Sequence, residues 1–282
     1  MDKSVIFVSY YTSNYKKWID KLRESLTALN LEHDLVPISH QTKSNVGKDR
    51  WQANVRYKPQ FILDMLEKHP EAKAIVWVDA DGLVEREPEL FFRLKEDLGV
   101  CFVPFPRREP RKYELLSGTV YVANNARGRE MTRLWVKAMP YVKEQKQKLK
   151  QSPLLKPEQQ VLQALLTIWK CVPEKLYNNA DGLLRILHSF DRCKVSVKDL
   201  PDSYCHIRGN AGEGAGVITH GQASREWRWP EKARRRRQLA DSARGRPFVR
   251  RRKPPNPKSA KGKKVRSNRP ASRRKRRRRM GG

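Results

Sequence analysis

Cysteine is scarce in this chain, and long hydrophobic runs are missing. The four cysteines include no Cys-x-x-Cys pair, so neither a usual zinc-ligand spacing nor a disulfide framework is present. The apolar run at residues 5–8 is far shorter than a membrane span of about 20 residues or a signal-peptide core. His-Glu-x-x-His and Gly-x-Ser-x-Gly are also absent, which removes two hydrolase signatures. We expect reduced, buried thiols and a cytoplasmic location (of a bacterial host, if the gene belongs to a phage) without a signal peptide or a transmembrane segment.

Acidic residues are few relative to basic ones, and the imbalance is concentrated in one segment. The chain has 61 Lys and Arg against 30 Asp and Glu, a formal net charge of +31. Residues 231–282 hold 24 of the basic and two of the acidic residues, so they carry +22 of that charge. Such a segment cannot bury enough apolar surface to fold. We predict a globular domain at 1–230 and a disordered, polyanion-binding tail at 231–282.

Nucleic acid is the commonest partner of a flexible cationic segment, because binding releases counterions from the phosphates. Trp227 and Trp229 lie beside Arg225 and Arg228, an arrangement that can stack on bases or simply pack as a closing segment. An anionic membrane surface, nuclear import and plain solubility remain alternatives for the tail.

Short apolar runs alternate with amphipathic stretches along the first 220 residues. Strands are predicted at 5–8, 31–38, 74–78, 100–105, 115–123 and 217–220, and helices between most of them. This alternation predicts an α/β layered fold with a mainly parallel central sheet. Residues 40–54 show no period and are predicted to form a loop over the site, with Pro59 in the first turn of the following helix.

An acidic pair, Asp79 and Asp81, follows the apolar run at 74–78 directly. Open α/β sheets bind ligands at the carboxyl ends of their strands. Two carboxylates one residue apart can approach one hard cation, and that cation can bridge a diphosphate. A solvated turn after a strand is the alternative for the pair taken alone.

Five segments occur in an order that resembles the nucleotide-diphospho-sugar transferases of the GT-A fold. They are KPQFIL at 58–63, IVWVDAD at 75–81, LSGTVY at 116–121, EQQVL at 158–162 and ITHGQASR at 218–225. The resemblance covers roughly residues 1–229 and implies a GT-A-like (Rossmann-like) layered fold, a divalent metal (Mn²⁺ or Mg²⁺) and a nucleotide-diphosphate sugar donor, UDP-sugar first among them.

The same resemblance implies roles for individual residues. The implied metal ligands are Asp79, Asp81 and His220. The implied catalytic residues are Asp81 and Glu158, and Glu158 stands where the family often has Asp. The implied donor-binding residues are Tyr10, Tyr11, Thr12, Lys58, Asp79, Ser117, Gly118, Thr119, Ser224 and Arg225. One of the two tyrosines would face the base, and Lys58 would approach the phosphates.

Several of these side chains also have ordinary structural explanations. His220 can be a histidine of the core, and Lys58 can be a solvated residue. Tyr10 and Tyr11 can pack at the end of the first strand. Glu158 in the first turn of a helix is favoured by the helix dipole alone.

Taken together, the motifs and the tail predict a metal-dependent glycosyltransferase that moves a sugar to a hydroxyl acceptor, such as a hydroxymethylated base in bacteriophage DNA. A polysaccharide or protein acceptor is the alternative within this class. Outside it stand an inactive transferase-like protein that binds nucleic acid, and nucleotidyl or phosphoryl transfer, which usually clusters more carboxylates. The sugar, the stereochemical outcome and the oligomeric state are left open by the sequence.

Overall fold

A computed structural model describes residues 4–39, 47–104, 113–151, 154, 156–176, 182–207 and 216–221. All of these residues belong to one compact unit, Met1–Arg236. The predicted tail lies outside the described residues, as do Ser224, Arg225, Trp227 and Trp229. The domain boundary at residue 230 therefore stays a prediction.

The described residues form six α-helices and nine β-strands. The helices are α1 (Lys16–Ala28), α2 (Gly47–Lys68), α3 (Glu89–Arg93), α4 (Ala126–Lys148), α5 (Pro157–Ile168) and α6 (Leu183–Leu187). The strands are β1 (Val5–Tyr11), β2 (His33–Pro37), β3 (Ala74–Val78), β4 (Gly82–Val84), β5 (Leu98–Pro104), β6 (Tyr113–Ala123), β7 (Val197–Asp199), β8 (His206–Ile207) and β9 (Ile218–His220). None of the helices in these ranges is long and apolar enough to cross a bilayer.

Six strands form the central sheet in the order β2-β1-β3-β6-β5-β7. The pairs β1/β2, β1/β3 and β5/β7 are parallel, whereas β6 runs antiparallel to both of its neighbours. The predicted α/β layered fold with a mainly parallel central sheet is confirmed. Because β1, β2 and β3 run in the same direction, their carboxyl ends meet at one edge of the sheet.

Both faces of the sheet are apolar and covered, as expected for strands that are continuous hydrophobic runs. In β1, Ile6 and Val8 face a core that also contains residues of α2, α4, α5 and α6. Val5 and Phe7 face the opposite core, which contains residues of α1 and α3. Side chains that alternate along a strand are therefore buried on either face.

The prediction of a loop at 40–54 is wrong over its second half. Helix α2 begins at Gly47 and contains Pro59 in its interior rather than in its first turn. An internal proline removes one helical hydrogen bond and costs about 3 kcal/mol. Burial of Phe61, Ile62 and Leu66 in the core and a bond from Gln52 Nε2 to the carbonyl of Leu154 (3.2 Å) hold the helix on both sides of the proline. Residues 40–46 lie outside the described ranges.

A second, three-stranded sheet with the order β4-β9-β8 lies next to the end of β3. Strand β4 pairs antiparallel with β9, with Gly82 opposite His220. The sequence predicted a strand at 217–220, which contains β9, but none at Gly82–Val84. This short pairing connects the residues that follow the acidic pair to the last strand described.

Candidate active site

Asp79 is the first residue after β3, at the edge where the parallel strands end. Its backbone N–H donates to the carbonyl of Gly118 (2.8 Å), and its own carbonyl accepts from Gly82 N–H (2.7 Å). Among the described residues, its carboxylate is held through Oδ1, which accepts from Lys58 Nζ (2.9 Å) and from Trp77 Nε1 (2.9 Å). The side chain keeps 39% of its surface exposed.

Lys58 is almost completely buried, with 2% of its surface exposed. Besides Asp79, its ammonium donates to the Ser117 carbonyl (2.8 Å) and the Ser117 hydroxyl (3.2 Å). The alternative of a solvated lysine is wrong. All three N–H bonds are already directed at protein oxygens, so a direct contact with a donor phosphate stays a prediction that requires one of these bonds to change.

His220 reaches the acidic pair because β9 pairs with β4. Beyond the strand, Gly221 N–H donates to the Asp81 carbonyl (2.9 Å). One ligand atom from each of Asp79, Asp81 and His220 lies within 4.8 Å of the others. The three predicted metal ligands are therefore adjacent in space, although His220 is far from the other two in sequence.

The donor set suits a divalent cation, because carboxylates are hard ligands and imidazole is a common metal ligand. His220 is 6% exposed. Its Nε2 lies 3.0 Å from Thr119 Oγ1, whereas its Nδ1 is buried without a hydrogen-bond partner. Buried polar atoms nearly always have a partner, so a bound cation would account for this nitrogen.

The charge state of His220 is sensitive to its surroundings. Burial lowers its pKa, but Cys205 and the two aspartates outweigh burial and raise the pKa to about 9. A cation must displace the proton to bind a ring nitrogen. Metal binding at this site is therefore expected to compete with protonation at neutral pH.

The segment of Ser117, Gly118 and Thr119 lies beside the acidic pair because β6 pairs with β3, with Thr119 opposite Val78, and β6 is irregular against β5 over the same residues. Along β5 the partners step from Val100 to Cys101, while along β6 they step from Val120 to Leu116. The three residues between have no β5 partner, and bulges of this kind are frequent beside active sites. A Cβ on Gly118 would lie 3.1 Å from His220 Cε1, which gives the glycine a packing reason.

Glu158 lies in the first turn of α5 and is 4% exposed. Its Oε1 accepts from the Ser117 hydroxyl (3.3 Å) and is 3.9 Å from Lys58 Nζ, while Oε2 is buried without a partner. Burial raises the pKa of the Glu158 carboxyl; Asp79 adds to the rise, and Lys58 opposes it. Asp79 and Glu158 thus share one buried lysine.

The two tyrosines at the end of β1 differ in environment. Tyr10 is buried, donates its hydroxyl to the Asn54 carbonyl (2.6 Å) and contacts Trp77 with ring centroids 4.8 Å apart. Tyr11 is half-buried and Thr12 is buried. Tyr10 thus packs in the core, and Tyr11 is the tyrosine left with an exposed surface at the sheet edge. A contact of Tyr11 or Thr12 with a nucleoside stays a prediction.

Two residues that sequence reasoning missed also belong to this region. Trp77 holds the Asp79 carboxylate, and its only sequence signal is its position two residues earlier on the same strand face. Cys205 is buried and interacts with His220, whose pKa it raises. Nothing local in the sequence marks Cys205.

No protein-family model matches this chain, and no curated protein matches it. Solved structures do match. A glycosyltransferase involved in glycosylation of the major capsid of PBCV-1 is 12% identical with a TM-score of 0.47, covering 78% of this chain and 93% of that chain. The apo form of the glycosyltransferase GlyE of Streptococcus pneumoniae TIGR4 is 12% identical with a TM-score of 0.36, covering 78% and 54%. Mouse xyloside xylosyltransferase 1 is 12% identical with a TM-score of 0.34, covering 79% and 98%.

All three are sugar-transferring enzymes by name: two glycosyltransferases and one xylosyltransferase. This chain spans about half the length of GlyE.

Proposed function

We propose that this chain is a metal-dependent glycosyltransferase that moves a sugar from a nucleotide-diphosphate sugar, UDP-sugar first among the donors, to a hydroxyl acceptor. The observation that supports this most is the meeting of Asp79, Asp81 and His220 within 4.8 Å at the carboxyl edge of a parallel sheet. That edge is where open α/β sheets bind nucleotides. The order of the flanking motifs agrees with this chemistry.

The three ligands would hold Mn²⁺ or Mg²⁺, which, when bound, would stabilise the negative charge of the departing nucleotide diphosphate. Lys58 and Trp77 keep the Asp79 carboxylate in one orientation by bonding its Oδ1. Ser117 is linked to this carboxylate by Lys58, which donates to the Ser117 carbonyl. The Gly118 carbonyl accepts from the backbone N–H of Asp79. We propose that the sugar of the donor binds along this segment. Ser224 and Arg225 are proposed to bind the donor because they belong to the same motif as His220.

Glu158 is the candidate for a catalytic carboxylate on the acceptor side. An inverting transfer needs a base that accepts the proton of the attacking hydroxyl, and a base with a raised pKa is suited to this near neutral pH. Oε2, which has no partner, is the atom that would accept it. A retaining transfer needs no such base on that side.

A donor panel tests the proposed class of enzyme. Release of nucleotide diphosphate from several nucleotide sugars is measured with Mn²⁺ or Mg²⁺ for the wild type, Asp81→Asn and His220→Gln. Asp191→Asn is the matched control, because that carboxylate is exposed and pairs with Lys137 on the surface. We expect metal-dependent release that both site variants reduce and the control retains. No release from any donor would contradict the proposal and favour an inactive scaffold.

For the acceptor, we propose a hydroxyl on a modified nucleic-acid base, such as hydroxymethylpyrimidine in DNA. Support comes from the composition of residues 231–282, whose 24 Lys and Arg would hold a polyanion while a flipped base reaches the site. Sugar transfer to hydroxymethylated DNA, with unmodified DNA as the control, tests this directly. If removal of 231–282 leaves DNA affinity and its salt dependence unchanged, or if only a polysaccharide or protein accepts the sugar, the nucleic-acid acceptor is wrong.

A further inference from the structure

Thr119 and Cys205 both interact with the imidazole ring of His220, and Thr119 is the one on β6. Its Oγ1 lies 3.0 Å from Nε2, and the side chain is completely buried in β6. The opposite ring nitrogen, Nδ1, is buried without a hydrogen-bond partner. The two nitrogens of one imidazole are thus in different environments.

This difference matters because a neutral imidazole carries a lone pair on one nitrogen and a proton on the other. The group that accepts the N–H decides which nitrogen keeps the lone pair. A threonine hydroxyl can accept from Nε2–H and donate its own proton elsewhere. In that arrangement the lone pair of Nδ1 is left for a cation.

We infer that Thr119 is a positioning residue of the metal centre: its hydroxyl accepts a hydrogen bond from Nε2 of His220 and so presents Nδ1 to the cation. The inference rests on the proposed function, and it changes the expected role of Thr119 from a contact with the donor to an orienting contact with a ligand.

The packing around the ring supports a fixed orientation. A Cβ on Gly118 would lie 3.1 Å from Cε1 and 3.2 Å from Nε2 of His220, and 3.2 Å from Cys205 Sγ. Thr119, Cys205 and the imidazole are all buried. A ring rotated by half a turn would set Cε1 against the threonine hydroxyl and lose its hydrogen bond, which would leave a buried polar group unsatisfied.

The first test is Mn²⁺ affinity, measured by electron paramagnetic resonance of free Mn²⁺ in the full-length chain. Thr119→Val keeps the shape and the strand preference of the residue but removes the acceptor. We expect its Mn²⁺ affinity to fall about 10–100-fold, the usual effect of losing an orienting partner of a ligand. Thr119→Ser keeps a hydroxyl and should restore most of the affinity. The melting temperature of each metal-free variant separates this effect from a loss of fold.

The second test is ¹⁵N NMR of the histidine-labelled chain with Mg²⁺ bound, in which His220→Gln identifies the signals of His220. We expect a proton on Nε2 and none on Nδ1, and a change of this pattern in Thr119→Val. A proton on Nδ1, or wild-type Mn²⁺ affinity in Thr119→Val, would overturn the inference while the metal centre stands. Wild-type affinity in His220→Gln would overturn the metal centre and the inference together.

Discussion

The buried ammonium of Lys58 offers the sharpest perturbation of the site. Lys58→Met replaces it with an uncharged side chain of similar length. The wild-type ammonium lies between two carboxylates, 2.9 Å from Asp79 Oδ1 and 3.9 Å from Glu158 Oε1. We expect the free energy of unfolding to fall by about 3–5 kcal/mol, the usual cost of removing one partner of a buried ion pair.

Most of this cost should come from the buried side of the cluster. The Asp79 carboxylate is 39% exposed, so its pair with Lys58 is screened and contributes about 0–1 kcal/mol. Glu158 is 4% exposed and loses its nearest positive charge. The Ser117 carbonyl loses a donor, and an unsatisfied buried group costs about 1–3 kcal/mol.

Urea unfolding of the metal-free chain at neutral pH, followed by tryptophan fluorescence, measures this cost. Glu158→Gln alone and combined with Lys58→Met completes a double-mutant cycle. The double variant should lose less than the sum of the single losses, by about 0.5–3 kcal/mol, because it leaves no unpaired buried charge. A loss below about 1 kcal/mol in Lys58→Met, or strictly additive losses, would refute the reasoning.

Two further predictions concern His220 and Gly118. Because the pKa of His220 is raised to about 9, its proton should compete with Mn²⁺ below that pH. Affinity measured calorimetrically should therefore rise about tenfold per pH unit towards 9 and then level off, and an equally steep rise in His220→Gln would contradict this. In Gly118→Ala the new Cβ would lie 3.1 Å from His220 Cε1. In Gly99→Ala, at a position away from the site, the new Cβ would lie 3.1 Å from Leu200. Both should lose about 1–3 kcal/mol of stability, but only Gly118→Ala should weaken Mn²⁺ binding; equal binding in the two would show that the tight fit is incidental.

Much of the site could be predicted from local patterns. The apolar run at 74–78 predicts a buried strand, and this places Asp79 and Asp81, which follow it, at an edge of the sheet. The order of the motifs then predicted His220 as a further metal ligand. The local sequence does not predict the pairing of β4 with β9, because a strand of three residues such as Gly82–Val84 has no periodic signal.

Tertiary context explains the remaining differences. Helix α2 extends through Pro59 because its other residues are packed on both sides of the proline. Lys58 is buried because three acceptors surround its ammonium, and a lysine gives no sequence signal of such partners. The two faces of β1 are both apolar, so alternation alone does not show that Tyr10 enters the core while Tyr11 keeps an exposed surface.

Calorimetric titration of UDP into the full-length chain, with and without Mn²⁺, tests the metal centre most directly. The wild type should bind UDP much more tightly with Mn²⁺ than without it. Asp81→Asn and His220→Gln should lose this difference, and Asp191→Asn should keep it. Metal-independent binding in the wild type, or an undiminished effect of Mn²⁺ in both site variants, would contradict the assignment of Asp79, Asp81 and His220 as the metal centre.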